Sequence, residues 1–521
     1  MIARSISSHI AHWQPASSKS PIIGIISVLV GSFIVTLNTR ITAIGLADIR
    51  GAVHAGFDEG AWITTAYTVG QMLVCAPTVW AGLVYGPRQI LLMASFVVVV
   101  TSFLIPFSTS LNEILLLQLL SGLAMGTFVP LTLSFVTRNL PPKFVTFGVA
   151  VYAMNAELSQ NISASVEGFY LDSLSWKWIF WQNVILAAAM FALVWVGMPK
   201  RKPERVPAAD IDLSGLIFYS LCFSFLYAML DQGDRLDWFR NGLINGLALA
   251  SVILFFAFVH NCYTAGRPWL NLRYIVRSNI GLLAVMLTFI RLATIAIAFL
   301  IPQYLTQIQG YRALQIGDVL LMIAAPQLIL APSIAVILRF ADSRIMAAIG
   351  FWLIGLACIA VSGTLTPFWI SDDFMPSQIL QAIGQSFALT SLITYNLRFI
   401  NPSEALAFGT ILQTSRLMGG EIGFAFVQTF VRIREQLHSN LLGLHVSNGA
   451  GTVAHELARR TGNFLQFGVS EAQERGTYMI SVAVQKQAYV LAYIDAFVLV
   501  GASMLLCLLL MLFLRAPPKT Q

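Results

Sequence analysis

"KRKPERVPAAD", residues 200–210, interrupts a chain that is otherwise strongly apolar. It is charged, contains two prolines and reads as a linker. On either side of it, apolar runs of about 20 residues recur, each long enough to cross ~30 Å of hydrocarbon. Six runs precede the linker, near 22–45, 60–82, 88–107, 112–137, 144–167 and 176–197. Eight follow, near 211–231, 240–262, 278–303, 314–338, 344–364, 374–398, 403–430 and 488–514. Of the 521 residues, 57% are hydrophobic and 11% charged, and the mean hydropathy is +0.76. A soluble domain carries roughly twice that charged fraction. The expectation is an all-α polytopic membrane protein of about fourteen helices, since a membrane barrel would show alternating segments of about 10 residues instead.

The formal net charge of +7 has a topological reading. One set of short loops holds Arg88, Arg138, Lys143, Lys200, Arg201, Lys202, Arg205, Arg267, Arg273, Arg277, Arg339, Arg344 and Arg398. The alternate set holds Asp58, Glu59, Asp172, Asp231, Asp234, Asp237, Asp372 and Asp373. The positive-inside rule places the basic set and both termini in the cytoplasm, and it removes nucleic acid as the reason for the basic charge. The first run has no cleavage site behind it and reads as an uncleaved anchor. Cys75, Cys222, Cys262, Cys358 and Cys507 stand singly in or beside apolar runs, as free buried thiols do. Residues 431–487 form a long polar outer loop with helix-like periodicity. Its His438, His445 and His455 match no tight metal-ligand spacing, and they read as solvated or capping residues. Neither a metal nor a cofactor is expected, and no nucleophile stands with a base at usable spacing, so an enzyme is not expected.

Several stretches together resemble the fourteen-helix drug:proton antiporters of the major facilitator superfamily, the multidrug efflux permeases. They are "GAWITTAYTVGQM" (60–72), "LSWKWIFWQNV" (174–184), "IDLSGLIFYSL" (211–221) with "MLDQGDRLDWF" (229–239), "FLIPQYLTQIQGY" (299–311), "SRLMGGEIGFAF" (415–426) and "AYVLAYIDAFVL" (488–499). The resemblance covers nearly the whole chain. It implies two pseudo-symmetric six-helix halves, 1–199 and 267–521, rocking around a central cavity. A linker and two inserted helices at 200–266 lie between them. It also implies an inner-membrane pump of a tripartite system.

The family's signature charges are largely absent. In "LNTR" (37–40) Asn38 stands where the family carries an acid, and Gln118 stands where it carries an arginine. Gly86 and Arg88 alone remain of the gate motif after the second helix, and Gly168 alone remains of the fifth-helix antiporter motif. Removing both members of a buried ion pair is far less costly than removing one. Charges recur elsewhere within the spans. Arg40 lies about 27 Å above the cytoplasmic end of its helix and Glu157 about 20 Å above that of its own. An Arg40–Glu157 pair is expected, with Gln160 and Asn161 completing its hydrogen bonds. Arg291, Arg416 and Glu421 repeat the pattern in the second half, as internal symmetry of the fold would have it.

Glu157, Gln160, Asn161, Ala164 and Glu167 form one helical stripe, which should face inward because ionisable groups facing lipid are costly. Glu157 or Glu421 reads either as a proton carrier or as half of a static lock. Tyr67, Gln71, Met154 and, by implication of the fold, Asn38 and Gln118 are candidate cavity residues alongside Gln160 and Asn161. The resulting expectation is export of small amphipathic molecules by proton antiport. The partners would be the lipid bilayer, a periplasmic adaptor meeting residues 431–487, and an outer-membrane channel. A dedicated siderophore or metabolite exporter and a transporter-like ligand sensor are the alternatives.

Overall fold

The computed structural model describes residues 21–140, 142–200, 212–266, 268–270, 280–338, 340–397, 405–446 and 451–514. Most of the linker at 200–210 lies outside them, as do Arg267, Arg273, Arg277, Arg339 and Arg398. The regular secondary structure of the described residues is all helical, with no strand among them. Hydrocarbon offers no partner for backbone N–H and C=O groups, so an apolar run this long satisfies them internally as a helix.

The first half contains α1 (Pro21–Ile44), α2 (Trp62–Val84), α3 (Pro87–Leu104), α4 (Leu111–Met125) and α5 (Phe128–Asn139), followed by α6 (Pro142–Asn161), α7 (Ser163–Ser173) and α8 (Trp178–Gly197). Next come α9 (Leu213–Gly233) and α10 (Gly242–Thr264). The second half contains α11 (Ile280–Tyr304), α12 (Ala313–Ile337), α13 (Ser343–Thr364), α14 (Met375–Leu397), α15 (Ala405–Gly443), α16 (Gly451–Gly462) and α17 (Val469–Met511). Each of the expected spans is helical where it is described. Ten described helices are long and apolar enough to cross a membrane. The polar α6–α7 pair, α12, α14 and α15 fall outside that ten, and α6 and α15 supply much of the buried charge described below.

The fourth expected span breaks between α4 and α5, at Gly126 and Thr127. Pro130 follows in the first turn of α5, where its missing N–H is no loss. The fifth breaks at Ile162. Small residues set the closest helix approaches. A Cβ at Gly122 would meet the Tyr67 carbonyl oxygen at 2.0 Å, and one at Gly126 would meet that of Gln71 at 2.7 Å. The "GLAMG" pair therefore seats α4 on α2. Gly122→Val should cost at least about 1–3 kcal/mol through overpacking, seen as a lowered unfolding midpoint in detergent. Gly419 and Gly423 seat α15 on α11 in the same way, against Thr288 and Leu292.

The halves touch along two seams. Gly168 and Ser165 of α7 meet Leu314 and Gly317 of α12. Near the opposite, basic end, Gly409 of α15 lies against Pro130 of α5, and the Thr410 hydroxyl donates to the Cys75 carbonyl at 3.0 Å. Helix α9 packs against α2 and α15, while α10 packs on α9 and turns most of its surface outward.

The polar segment 431–487 is helical over much of its described length, in keeping with its helix-like periodicity. Helix α15 runs unbroken to Gly443 and α17 begins at Val469, so both continue beyond the apolar runs near 403–430 and 488–514, with α16 packed on α17. Within this hairpin Arg434 and His438 both bond Asp495, at 2.6 and 2.7 Å. Arg459 and Arg460 bond Glu456 and hold its carboxyl down at about 2, so this surface ion pair stays charged in mild acid.

Candidate functional site: a polar cavity between the halves

A cavity of 600 Å³ lies between the two halves. Its wall takes Thr36, Thr39 and Arg40 from α1, Thr64, Tyr67 and Thr68 from α2, and Tyr227 and Asp231 from α9. Arg291 from α11 and Arg416 and Glu421 from α15 complete it, with Gln160 of α6 on the floor. On α1, α2 and α9 these residues fall in the part nearest the acid-rich loops, while Arg291, Arg416 and Glu421 lie near the middle of their apolar spans, and Asp58, Asp234 and Arg235 stand at the mouth. The basic ends of the helices, where Gly409 meets Pro130, are closed. The cavity therefore opens toward the acid-rich loops.

The stripe on the fifth span is buried as its period requires, with Glu157, Gln160, Asn161 and Ala164 each 2% exposed and Glu167 1%. Its charged partner differs from the expectation. Glu157 pairs with Arg291 of the second half, Nη1 to Oε1 at 2.6 Å, and not with Arg40. The Arg291 Nη2 donates to Gln160 Oε1 at 2.9 Å. Height along a helix gave Arg40 and Glu157 comparable depths, but which side of each helix meets which neighbour decides a pair. The facing guanidinium belongs to the pseudo-symmetric helix α11. The symmetric counterpart, an Arg291–Glu421 pair within the second half, does not form either, because Arg291 is spent on Glu157 and Gln160. The Arg291–Glu157 bridge joins the two halves across the cavity floor.

Asn161 does not join this pair. Its amide donates to Gln327 Oε1 at 3.1 Å, and Gln327 donates in turn to Gln385 Oε1 at 3.2 Å, a second polar bridge between the halves. Arg416, 8% exposed, donates to Thr36 Oγ1 at 3.0 Å. Glu421 is also 8% exposed; its Oε1 has no partner among the described residues, and its neighbours are Tyr227 and Asp231. Burying a carboxylate without a cation is costly, so this group is unusual on physical grounds alone.

The candidate cavity residues divide. Tyr67 and Gln160 line the space. The Tyr67 hydroxyl lies 2.9 Å from the Met125 sulfur. Gln71 sits behind the wall, bonding Thr39 and accepting from Gln413 of the other half at 3.3 Å. Asn38 accepts from Asn183 at 2.5 Å within the first half. Gln118 is fully buried away from the cavity, with neither amide atom bonded among the described residues, and Met154 is half-buried and outside the lining. Gly86 has φ +78° and caps α3, which only glycine does freely. The Arg88 guanidinium stacks on the Trp195 ring at 5.0 Å and donates to its carbonyl. It fastens α3 to α8 and bonds no second-half residue among the described residues.

A further group was missed by reading acids as loop markers. Asp231 bonds the Thr65 hydroxyl and Gln232, Arg235 bonds Asp58 at 2.7 Å, and Asp234 bonds Gln428, Thr429 and Arg432. These contacts tie α9 to both halves at the mouth. The signal was present, since Tyr227, Asp231 and Asp234 follow at i, i+4 and i+7 and share one face of a helix.

An all-helical bundle of apolar spans, with two halves enclosing a polar cavity and bridged by buried charge at its floor, is the architecture of a membrane transporter. Residues 28–424 match the family model of the Major Facilitator Superfamily, and the chain belongs to that superfamily. The multidrug export protein EmrB of Haemophilus influenzae is 24% identical over 511 residues, covering 98% of both chains. The fatty acid resistance protein FarB of Neisseria gonorrhoeae is 23% identical, covering 93% of this chain and 94% of that one. Among solved structures, the human organic anion transporter MFSD10 superposes with a TM-score of 0.58 at 12% identity, over 96% of this chain and all of that one. An auto-inhibited POT family peptide transporter superposes with a TM-score of 0.57 at 13% identity, over 95% of this chain and 98% of that one. The chain is thus a multi-pass membrane protein of a transporter superfamily.

Proposed function

We propose that the protein exports small amphipathic molecules across a bacterial inner membrane by proton antiport with alternating access. The observation that carries this reading is the Arg291–Glu157 bridge, because it links the two halves that must separate for the cavity to change sides. Protonating Glu157 removes the charge that holds Arg291 and releases the bridge; in the antiport cycle substrate binds the bridged, deprotonated state and proton binding releases it. Glu421 lines the same cavity without a cation and is the second proton site of the proposal. The export of drugs by relatives such as EmrB supports the direction of transport. Proteoliposomes carrying an imposed pH gradient test it. The wild type should drive an amphipathic dye against its gradient, and a protonophore should abolish this. Dye movement that ignores the pH gradient would contradict antiport.

The hairpin of α15, α16 and α17 extends about 20 Å past the membrane over residues 431–443. Leu441, Leu444, Leu465, Val469 and Tyr478 lie exposed on it. In the proposal it receives a periplasmic adaptor that leads to an outer-membrane channel. Replacing residues 444–468 by a short Gly-Ser turn should leave transport in proteoliposomes within about twofold of wild type. The same change should abolish resistance in cells. Equal resistance with and without the segment would remove the adaptor from the account.

A further inference from the structure

We infer that the cavity takes an amphipathic organic anion, whose acidic group sits between Arg40 and Arg416. This inference rests on the reading of the cavity as a substrate site and adds the chemical class. Four guanidiniums line the cavity: that of Arg235 stands at the mouth and bonds Asp58, and those of Arg40, Arg291 and Arg416 face the interior from α1, α11 and α15. One carboxylate, Glu157, is bonded to the interior three, and it is spent on Arg291. Arg416 bonds only the neutral Thr36 hydroxyl, and Arg40 makes no hydrogen bond or ion pair among the described residues.

The acids of the cavity lie elsewhere. Glu421 follows Arg416 by five residues, about 140° round α15, and its neighbours are Tyr227 and Asp231 of α9. The cavity therefore has a cationic wall along α1 and α11 and an acidic wall along α9. Uncompensated guanidiniums in a membrane bundle are costly unless a partner arrives. A carboxylate or sulfonate suits such a pair, because it accepts two parallel N–H bonds from one arginine and keeps a lone pair for the other. Phe424, Leu417 and Ile295 offer the remaining wall to an apolar body.

The test uses the full chain in lipid nanodiscs and two isosteric probes, 2-naphthoate and 2-naphthylmethylammonium, in radiolabelled equilibrium binding. Naphthoate should bind at least about tenfold tighter than the ammonium. Arg40→Gln and Arg416→Gln should each weaken naphthoate about tenfold or more, the usual size of a lost charge-assisted bond, and leave the ammonium unweakened. Arg40→Lys and Arg416→Lys keep the charge and should keep most of the affinity, which separates loss of the site from loss of the fold. Equal binding of both probes, tighter binding of the ammonium, or no saturable naphthoate binding overturns the inference. So does naphthoate affinity unchanged in both Gln variants. Naphthoate bound as expected but never moved by a pH gradient would leave the anion site standing and remove the antiport reading.

Discussion

Arg291→Leu should be the most damaging single substitution in the protein. It strips the only cation bonded to Glu157 among the described residues, and leaves a carboxylate that is 2% exposed buried without that partner. Breaking a buried pair from one side typically costs about 3–5 kcal/mol. The expected result is a large fall in folded yield and unfolding midpoint in detergent. The double variant Arg291→Gln with Glu157→Gln should recover most of that loss, because two amides can bond each other and Gln160 in the same space. A double-mutant cycle on the unfolding midpoints measures the coupling. Additive losses would show that the bridge contributes nothing as a pair. The recovered double variant should still fail to use a pH gradient, since it keeps the packing and removes the ionisable group.

Glu421→Gln should behave in the opposite way. Glu421 lines the cavity beside Tyr227 and Asp231, and no guanidinium bonds it among the described residues. Replacing it by an amide removes a poorly compensated charge, so stability should hold or rise. Transport driven by a pH gradient should fall at least about tenfold, the scale on which a positioned proton-transfer group matters. Substrate binding should persist. Loss of folding in Glu421→Gln, or full gradient-driven transport, would return Glu421 to the packing of α15 against α9.

The contrast between these residues shows what a sequence of this type discloses. Hydropathy gave the helices because each span must satisfy its own backbone. The 3.6 period gave the buried stripe from Glu157 to Glu167, because a charged face cannot turn to lipid. The partner of Glu157 was not legible. Arg40 and Arg291 are equally intramembrane in the sequence, and which one meets Glu157 depends on how the two halves are set against each other. Asp231 was read as a loop acid because it lies where an apolar run ends, although its helical register with Tyr227 points it inward. The segment after Phe430 read as a long polar loop with helix-like periodicity, and the periodicity was the informative part. Helices α15 and α17 continue there because water lets a polar sequence keep its helix, with α16 packed alongside.

Proton release on substrate addition tests the central claim most directly. Purified protein in weakly buffered detergent would be titrated with amphipathic anions and drugs, for the wild type and for Glu157→Gln. The account predicts that substrate expels protons from the wild type and that Glu157→Gln binds the same substrate while releasing fewer. A wild type that binds substrate and releases none would contradict it, and the Arg291–Glu157 bridge would then stand as a structural lock between the halves.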